Sequence, residues 1–359
     1  MRKINIKNER MKRQFSKWVT SAGRCCESTA DNIEKVILLY EDFTKQADFA
    51  TYKPDKAIEF KKWLKKKKFR NKTISLTTYH SYLRNLYKFF DWLSWQAGYK
   101  SKITPDLVEY LRISFKEEKI ATQQTPRNYP PLEYVLKLAD SIKINSEIDL
   151  RDRALISFTL LSGMRDKAIA TLPVGCFEEV KLIINQNPKI GVETKFSKYI
   201  TSMLFKFDNK LFKYFIEWVK HLKTKCFGSQ DPLFPRSKPQ QRDGLSFEPS
   251  TEVKPTFWQG TGSIREIFRN RSEKANLPYY PPHTYRHLAI DLALKGYRTG
   301  EQIKAISQNF GHEHIATTLS SYANYEPDRL SEILKNIDFS GKQIKGDKLE
   351  EIKKILLDS

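Results

Sequence analysis

The sequence predicts a mainly α-helical protein with one small antiparallel β-sheet, divided into an all-α N-terminal domain and an α+β C-terminal domain. Three observations carry this reading. Apolar residues recur at helical spacing through most of the chain. Short β-prone runs separated by turn residues are concentrated in 181–207. A polar, Pro-rich stretch at 119–131 has no periodicity and has the composition of a linker. At roughly 100–200 residues per domain, a chain of 359 residues is long enough for two.

In chain order, residues 1–27 read as a basic N-terminal arm, with seven Lys and Arg side chains in 2–17. The helical N-terminal domain follows at 28–120. Ser28 or Thr29 would cap a helix to about Ala47, with Ile33, Val36, Ile37 and Tyr40 on one face. A second helix starts near Pro54, includes Ile58, Phe60, Trp63 and Leu64, and ends in Lys65–Lys68. A third spans about Ser75 to Ala97 with a broad apolar stripe. A fourth starts at Thr104-Pro105, where Thr suits the N-cap and Pro the first helical position. The linker is placed at 121–131.

The C-terminal domain is placed at 132–335. Leu132–Ile142 and Arg151–Leu161 read as helices. Lys181–Asn185, Ile190–Thr194 and Tyr199–Phe205 read as the three strands of the sheet. Helices are expected at about 211–222, 263–275, 285–296, 301–309 and 315–322, with a loop-like stretch at 223–260. Residues 336–359 form a tail, in which Leu349, Ile352, Ile355 and Leu356 would share one face of an amphipathic helix.

Composition narrows the function. The 22 Phe, 17 Tyr and 6 Trp exclude disorder along most of the chain. No run of about 18 apolar residues occurs, so no membrane span is expected. The basic N-terminus lacks the apolar stretch of a secretory signal. The expected setting is therefore cytoplasmic. Cys25, Cys26, Cys176 and Cys226 form no CxxC, and reduced thiols are expected. The net charge of +21 favours nucleic acid as a partner. That charge is uneven: residues 1–125 hold 27 Lys and Arg against 14 Asp and Glu. Lys61, Lys62, Lys65, Lys66, Lys67, Lys68, Arg70 and Lys72 are the candidate DNA contacts, with residues 2–17 as a further arm.

Four of the six histidines fall between 283 and 314. They lie in Pro281-Pro282-His283-Thr284-Tyr285-Arg286-His287 and Phe310-Gly311-His312-Glu313-His314. His283 and His287 have a spacing that metal ligands use, but no Glu follows His283 and no third ligand is evident, so no zinc site is expected. Upstream lies Ser162-Gly163-Met164-Arg165-Asp166. In this order, the strings resemble the tyrosine recombinase (phage integrase) family over roughly residues 28–335. Arg165 matches the first active-site arginine in its Gly-(Leu/Met)-Arg turn. His283 and Arg286 match the His-x-x-Arg motif, and Phe310-Gly311-His312 matches Leu-Gly-His. Tyr322, ten residues beyond His312 after Thr317-Thr318, matches the nucleophile better than Tyr325. Lys195 matches the lysine of a hairpin turn, ahead of Lys198. Pro232-Leu233-Phe234-Pro235 also recurs in relatives. The position three after Arg165, usually acidic in the family, is Ala168, with Asp166 the nearest acid.

The resemblance implies a core-binding domain followed by a catalytic domain, and an enzyme that moves a DNA phosphodiester to a tyrosine and back without metal, ATP or another cofactor. The physical chemistry suits the residues. Two guanidiniums offer planar donors and fixed charge to the attacked phosphate. Arg165 and Arg286 would clamp its oxygens, and His312 would add a third donor. A tyrosine of ordinary pKa, about 10, needs a base, for which His283 is the candidate. Lys195 would protonate the leaving 5′ oxygen. The implied partners are double-stranded DNA carrying specific recombination sites, a homotetramer on two duplexes, and accessory DNA-bending proteins, in a nucleoid-associated location. Two other readings are open. One is a type IB topoisomerase-like enzyme, against which His283 argues because Lys is usual there. The other is a catalytically silent DNA-binding regulator, against which the complete residue set argues.

Overall fold

The computed structural model describes residues 4–23, 25–123, 128–238, 240–241, 247–248, 251–296, 299–312 and 335. The chain forms two compact units, Met1–Thr125 and Pro126–Ser359.

The first unit is helical. Its helices are α1 (Ile6–Ser21), α2 (Glu27–Thr44), α3 (Pro54–Lys66), α4 (Leu76–Ser94), the short α5 (Pro105–Val108) and α6 (Phe115–Thr122). Local signals account for the starts. Ser75 caps α4 by accepting from the Thr78 N–H, Pro54 and Pro105 sit in the first turns of α3 and α5, and Ser114 with Glu117 closes a capping box on α6. The core is aromatic: Tyr40, Phe49, Phe60, Phe89 and Phe90 are buried and meet edge to face.

Two features depart from the sequence reading. The segment read as a basic arm is mostly α1, a helix packed into the core. Met11, Phe15 and Val19, spaced four apart, are buried on one face. Its polar side is fixed too: the buried Glu41 accepts from Lys12 Nζ at 2.7 Å and Asn8 Nδ2 at 3.1 Å. Helix α3 ends at Lys66, inside the lysine run as expected, but the all-α domain also contains a β-hairpin directly after it, β1 (Lys68–Phe69) with β2 (Lys72–Thr73).

The second unit contains α7 (Leu132–Asp140), α8 (Glu147–Ser162), α9 (Asp166–Ala170), the sheet strands β3 (Phe177–Glu178), β4 (Ile183–Gln186) and β5 (Ile200–Met203), α10 (Asn209–Thr224), two small ladders β6 (Arg236–Ser237) with β9 (Val253–Lys254) and β7 (Gln240–Gln241) with β8 (Phe247–Glu248), then α11 (Gly262–Lys274), α12 (Pro282–Lys295) and α13 (Gly300–Asn309). Helix α8 is the axis. Eleven of its residues, from Arg151 to Ser162, are buried, and α7, α10 and α12 pack around it. The sheet runs β3-β4-β5, antiparallel throughout. Its third strand is therefore Phe177–Glu178, not the expected run 190–194. That run follows Pro188 and turns at Gly191, whose φ is +91, so its backbone leaves the ladder while Val192 plugs into the core. The expected helix at 315–322 and the amphipathic tail at 347–357 lie outside the described residues.

Candidate active site

The site starts from a helix end. Helix α8 stops at Gly163, which is left-handed at φ +56. Its carbonyl accepts from Arg286 NH1 at 2.7 Å. Two residues on, Arg165 is the N-cap residue of α9, so the chain turns sharply between two helices and carries Arg165 at the corner. Arg286 lies in the second turn of α12 and is 7% exposed. Its NH2 donates to the Phe310 carbonyl at 2.6 Å and meets His312 Nε2 at 3.0 Å. The Phe310 ring lies beneath the guanidinium, 5.3 Å from Cζ to the ring centre.

A guanidinium cannot accept, so His312 Nε2 is the acceptor in that pair. This puts the proton of a neutral imidazole on Nδ1, the ring nitrogen that would then donate. The sequence reading made His312 a phosphate donor without assigning the nitrogen.

The far side of the site is fixed by α13 and β5. Asn309 bridges the edge of β5: its Oδ1 accepts from the Met203 N–H at 2.6 Å and its Nδ2 donates to the Met203 carbonyl at 3.1 Å. Ser202 Oγ donates to the Asn309 carbonyl at 2.7 Å. Gly311, at φ +65, lets the chain turn towards His312. A Cβ there would sit 2.5 Å from Ile200 Cδ1.

The remaining candidates are placed as follows. Lys195 opens a short turn between β4 and β5. It is exposed, with Nζ 4.8 Å above the ring of its neighbour Phe196. Among the described residues it makes no hydrogen bond to Arg286 or His312. Its loop is nevertheless tied to the helix that Arg165 caps. The Glu193 N–H donates to Thr171 Oγ1 at 2.8 Å, and the Glu193 carboxylate pairs with Lys167. His283 is exposed in the first turn of α12, edge to face with His287 at 6.0 Å between ring centres. Ala168 is 1% exposed and belongs to the core, while Asp166 pairs with Arg265 at 2.8 Å. Tyr322 and its competitor Tyr325 lie outside the described residues. Sequence reasoning missed Asn309, Thr171 and Glu193, which act through contacts distant in sequence.

In the first unit, the candidate DNA contacts separate into two sets. Lys61 Nζ donates to the Arg112 carbonyl at 2.9 Å, and burial pushes its pKa down. Lys65 pairs with Glu117 at 2.6 Å, and Lys67 lies 4.4 Å above the Trp63 ring. Lys62, Lys66, Lys68, Arg70 and Lys72 are exposed.

The family model described as "Phage integrase family" matches residues 132–329. No curated protein matches the chain. Among solved structures, the chain is similar to the XerH site-specific recombinase bound to palindromic difH substrate, with 16% identity, a TM-score of 0.60, and 90% of this chain and 84% of that one covered. It is similar to a lambda integrase(75-356) dimer bound to a COC′ core site, with 12% identity, a TM-score of 0.60, and 88% and 94% covered. It is similar to the Tn1549 transposon integrase in complex with a circular intermediate DNA, with 16% identity, a TM-score of 0.59, and 91% and 99% covered. These likenesses carry the fold, and the family match, which takes in Gly163, Arg165, Arg286 and His312 and spans more than half of the sequence, carries the assignment: the chain belongs to the phage integrase family and is a tyrosine recombinase.

Proposed function

We propose that this recombinase breaks and rejoins double-stranded DNA at specific sites through a 3′-phosphotyrosine on Tyr322. The observation that carries the reading is the junction of Arg286 with the Gly163 carbonyl, the Phe310 carbonyl and His312, which joins three distant motifs. A guanidinium fixed this way keeps its charge and geometry as a phosphate arrives, so little reorganisation is needed when charge develops in the transition state. Arg165, at the corner two residues from Gly163, would supply the second charge.

The steps follow from these groups. The Tyr322 oxygen attacks the scissile phosphorus and its proton passes to His283. The bond to the 5′ oxygen breaks, and Lys195 gives that oxygen a proton. The exposure of Lys195 on a turn suits a group that moves onto the DNA. The phosphotyrosine retains the energy of the broken bond, so a 5′ hydroxyl from a partner strand can reverse the step without ATP. Double-stranded DNA and a multimer, a homotetramer on two duplexes, are the proposed partners. The DNA-bound XerH and Tn1549 integrase and the DNA-bound lambda integrase dimer support this.

Covalent trapping on nicked genomic fragments, followed by sequencing of the attached ends, tests the reading and yields the target site. The wild-type chain should form an adduct in EDTA, and Tyr322→Phe should bind DNA but form none. An adduct at Tyr325 would reassign the nucleophile, and no adduct under any condition would sink the enzymatic reading.

A further inference from the structure

The lysine run of the first unit does not end in a frayed helix. Helix α3 stops at Lys66 and the chain folds into the β1–β2 hairpin, with Lys68 opposite Thr73 and Phe69 opposite Lys72. Arg70 and Asn71 form the two-residue turn, both left-handed, at φ +49 and +66. Two such residues make the mirror-image turn whose twist matches a hairpin, and Asn-Gly is its preferred chemistry. A long, branched-headed Arg at the first position is costly by that standard. Strained residues of this kind cluster at ligand-contacting positions.

The rest of the hairpin is anchored. Phe69 packs edge to face on Tyr82 of α4 at 6.4 Å, and Lys67 lies over both Trp63 and Phe69. The tip and outer face are therefore held out from a fixed base. Charge there is of one sign. No Asp or Glu occurs between Glu59 and Asp91, while ten Lys and Arg do. Lys61 and Lys65 are engaged inside the unit. Lys66, Lys68, Arg70 and Lys72 are exposed and make no ion pair among the described residues.

We propose that the β1–β2 hairpin enters the major groove of duplex DNA, with Arg70 and Asn71 reading base edges and Lys66, Lys68 and Lys72 gripping the flanking phosphates. A two-stranded ribbon fits that groove. Arg pairs there with guanine O6 and N7, and Asn with adenine N6 and N7. The flanking lysines carry no sequence information but set register. The inference rests on the reading of this chain as a DNA-acting enzyme, and it adds where sequence is read. Lys61 and Lys65 fall outside the contact set.

The test is affinity selection from a randomised duplex with the full-length chain. Its key variant is the double substitution Arg70→Gly with Asn71→Gly, a pair that this turn also favours, which keeps the hairpin folded while removing both reading side chains. The wild type should enrich guanine and adenine at neighbouring positions. The variant should lose preference at those positions alone, bind the enriched site on the order of tenfold more weakly, and melt no lower than wild type. Lys66→Ala with Lys68→Ala and Lys72→Ala should flatten the salt dependence by about 2–3 units of slope with base preference unchanged. Lys61→Ala should leave the slope as it was. Enrichment of the same bases by the turn variant, or of none by the wild type, would overturn the proposal, as would an unchanged slope in the triple variant. None of these readouts needs cleavage, so absence of a covalent adduct would count against the enzymatic reading and leave this one standing.

Discussion

A Cβ on Gly163 would lie 2.2 Å from Cε1 of Phe310, so the end of α8 and the end of α13 meet with no room for a methyl group. The same two residues supply the carbonyls that hold Arg286. The position of the Arg286 guanidinium therefore depends on a glycine at the end of α8. Gly163→Ala would force an alanine into φ +56, at about 1–2 kcal/mol, and push the Phe310 ring aside, at about 1–3 kcal/mol. The expected result is a lower urea midpoint and cleavage at least tenfold slower. Phe310→Leu in the same chain should recover part of the stability. If Gly163→Ala alone melts and cleaves as wild type, the contact does not position the arginine.

Arg286→Lys tests the fork rather than the charge. Three acceptors surround the guanidinium, and an ammonium on a single stem cannot meet them in the same plane. At least one buried carbonyl would lose its donor, costing about 1–3 kcal/mol of stability. Cleavage should fall by about a hundredfold or more, as when one aimed donor is lost, while DNA affinity changes by only a few-fold. Near-wild-type cleavage by the lysine variant would show that charge alone suffices.

The arginine, glycine and histidine positions were legible because each is a short string with a fixed local geometry. Gly163 ends the buried helix α8, and Phe310-Gly311-His312 follows directly on the end of α13. What brings them together was not legible. Asn309 on the β5 edge and Thr171 on Glu193 are contacts between segments separated by 106 and 22 residues, and one sequence records no such pairing. Helix α1 was missed for a different reason. Its seven nearby cations dominated the reading, although Met11, Phe15 and Val19 already held helical spacing. The β1–β2 hairpin was hidden because Arg-Asn is not the turn pair that pattern reading looks for. Strand β3 was displaced because Ile190–Thr194 is β-prone in composition but interrupted by Gly191.

Thr171 gives a prediction about the lysine loop. Its hydroxyl accepts from the Glu193 N–H and donates to the Lys167 carbonyl at 3.1 Å, joining α9 to the chain just before Lys195. The accompanying Lys167–Glu193 ion pair is exposed on both sides and contributes little. The hydroxyl is thus the main tie. Thr171→Val keeps the shape and removes the bond. Expected outcomes are a melting temperature within a few degrees of wild type, unchanged DNA affinity and cleavage slowed by several-fold, with Glu193→Ala much milder. Equal effects of the two variants would assign the tie to the ion pair instead.

Glu147 sets an acid limit on the second unit. It starts α8 and accepts from the Val253 N–H at 3.0 Å, His221 Nε2 at 3.1 Å and Lys225 Nζ at 2.7 Å, linking α8 to α10 and β9. Burial pushes its carboxyl pKa up, but the bonds from Lys225, Val253 and His221 outweigh burial and hold it below the usual carboxylate value. A group whose folded pKa is depressed stabilises the fold above its unfolded pKa, near 4.3 for Glu, and loses that contribution as pH falls through the folded value. The contribution should therefore be whole at pH 7 and fade below about pH 4. Glu147→Gln keeps an acceptor for Val253 and removes the charge. Because Lys225 is 48% exposed, its share is screened, and a wild-type advantage of about 1–2 kcal/mol at pH 7 is the expected size. Urea unfolding at pH 7, 5, 4 and 3 should show that gap narrowing from pH 4 downward. A gap that stays constant to pH 3 would mean that Glu147 contributes through packing and not through its charge.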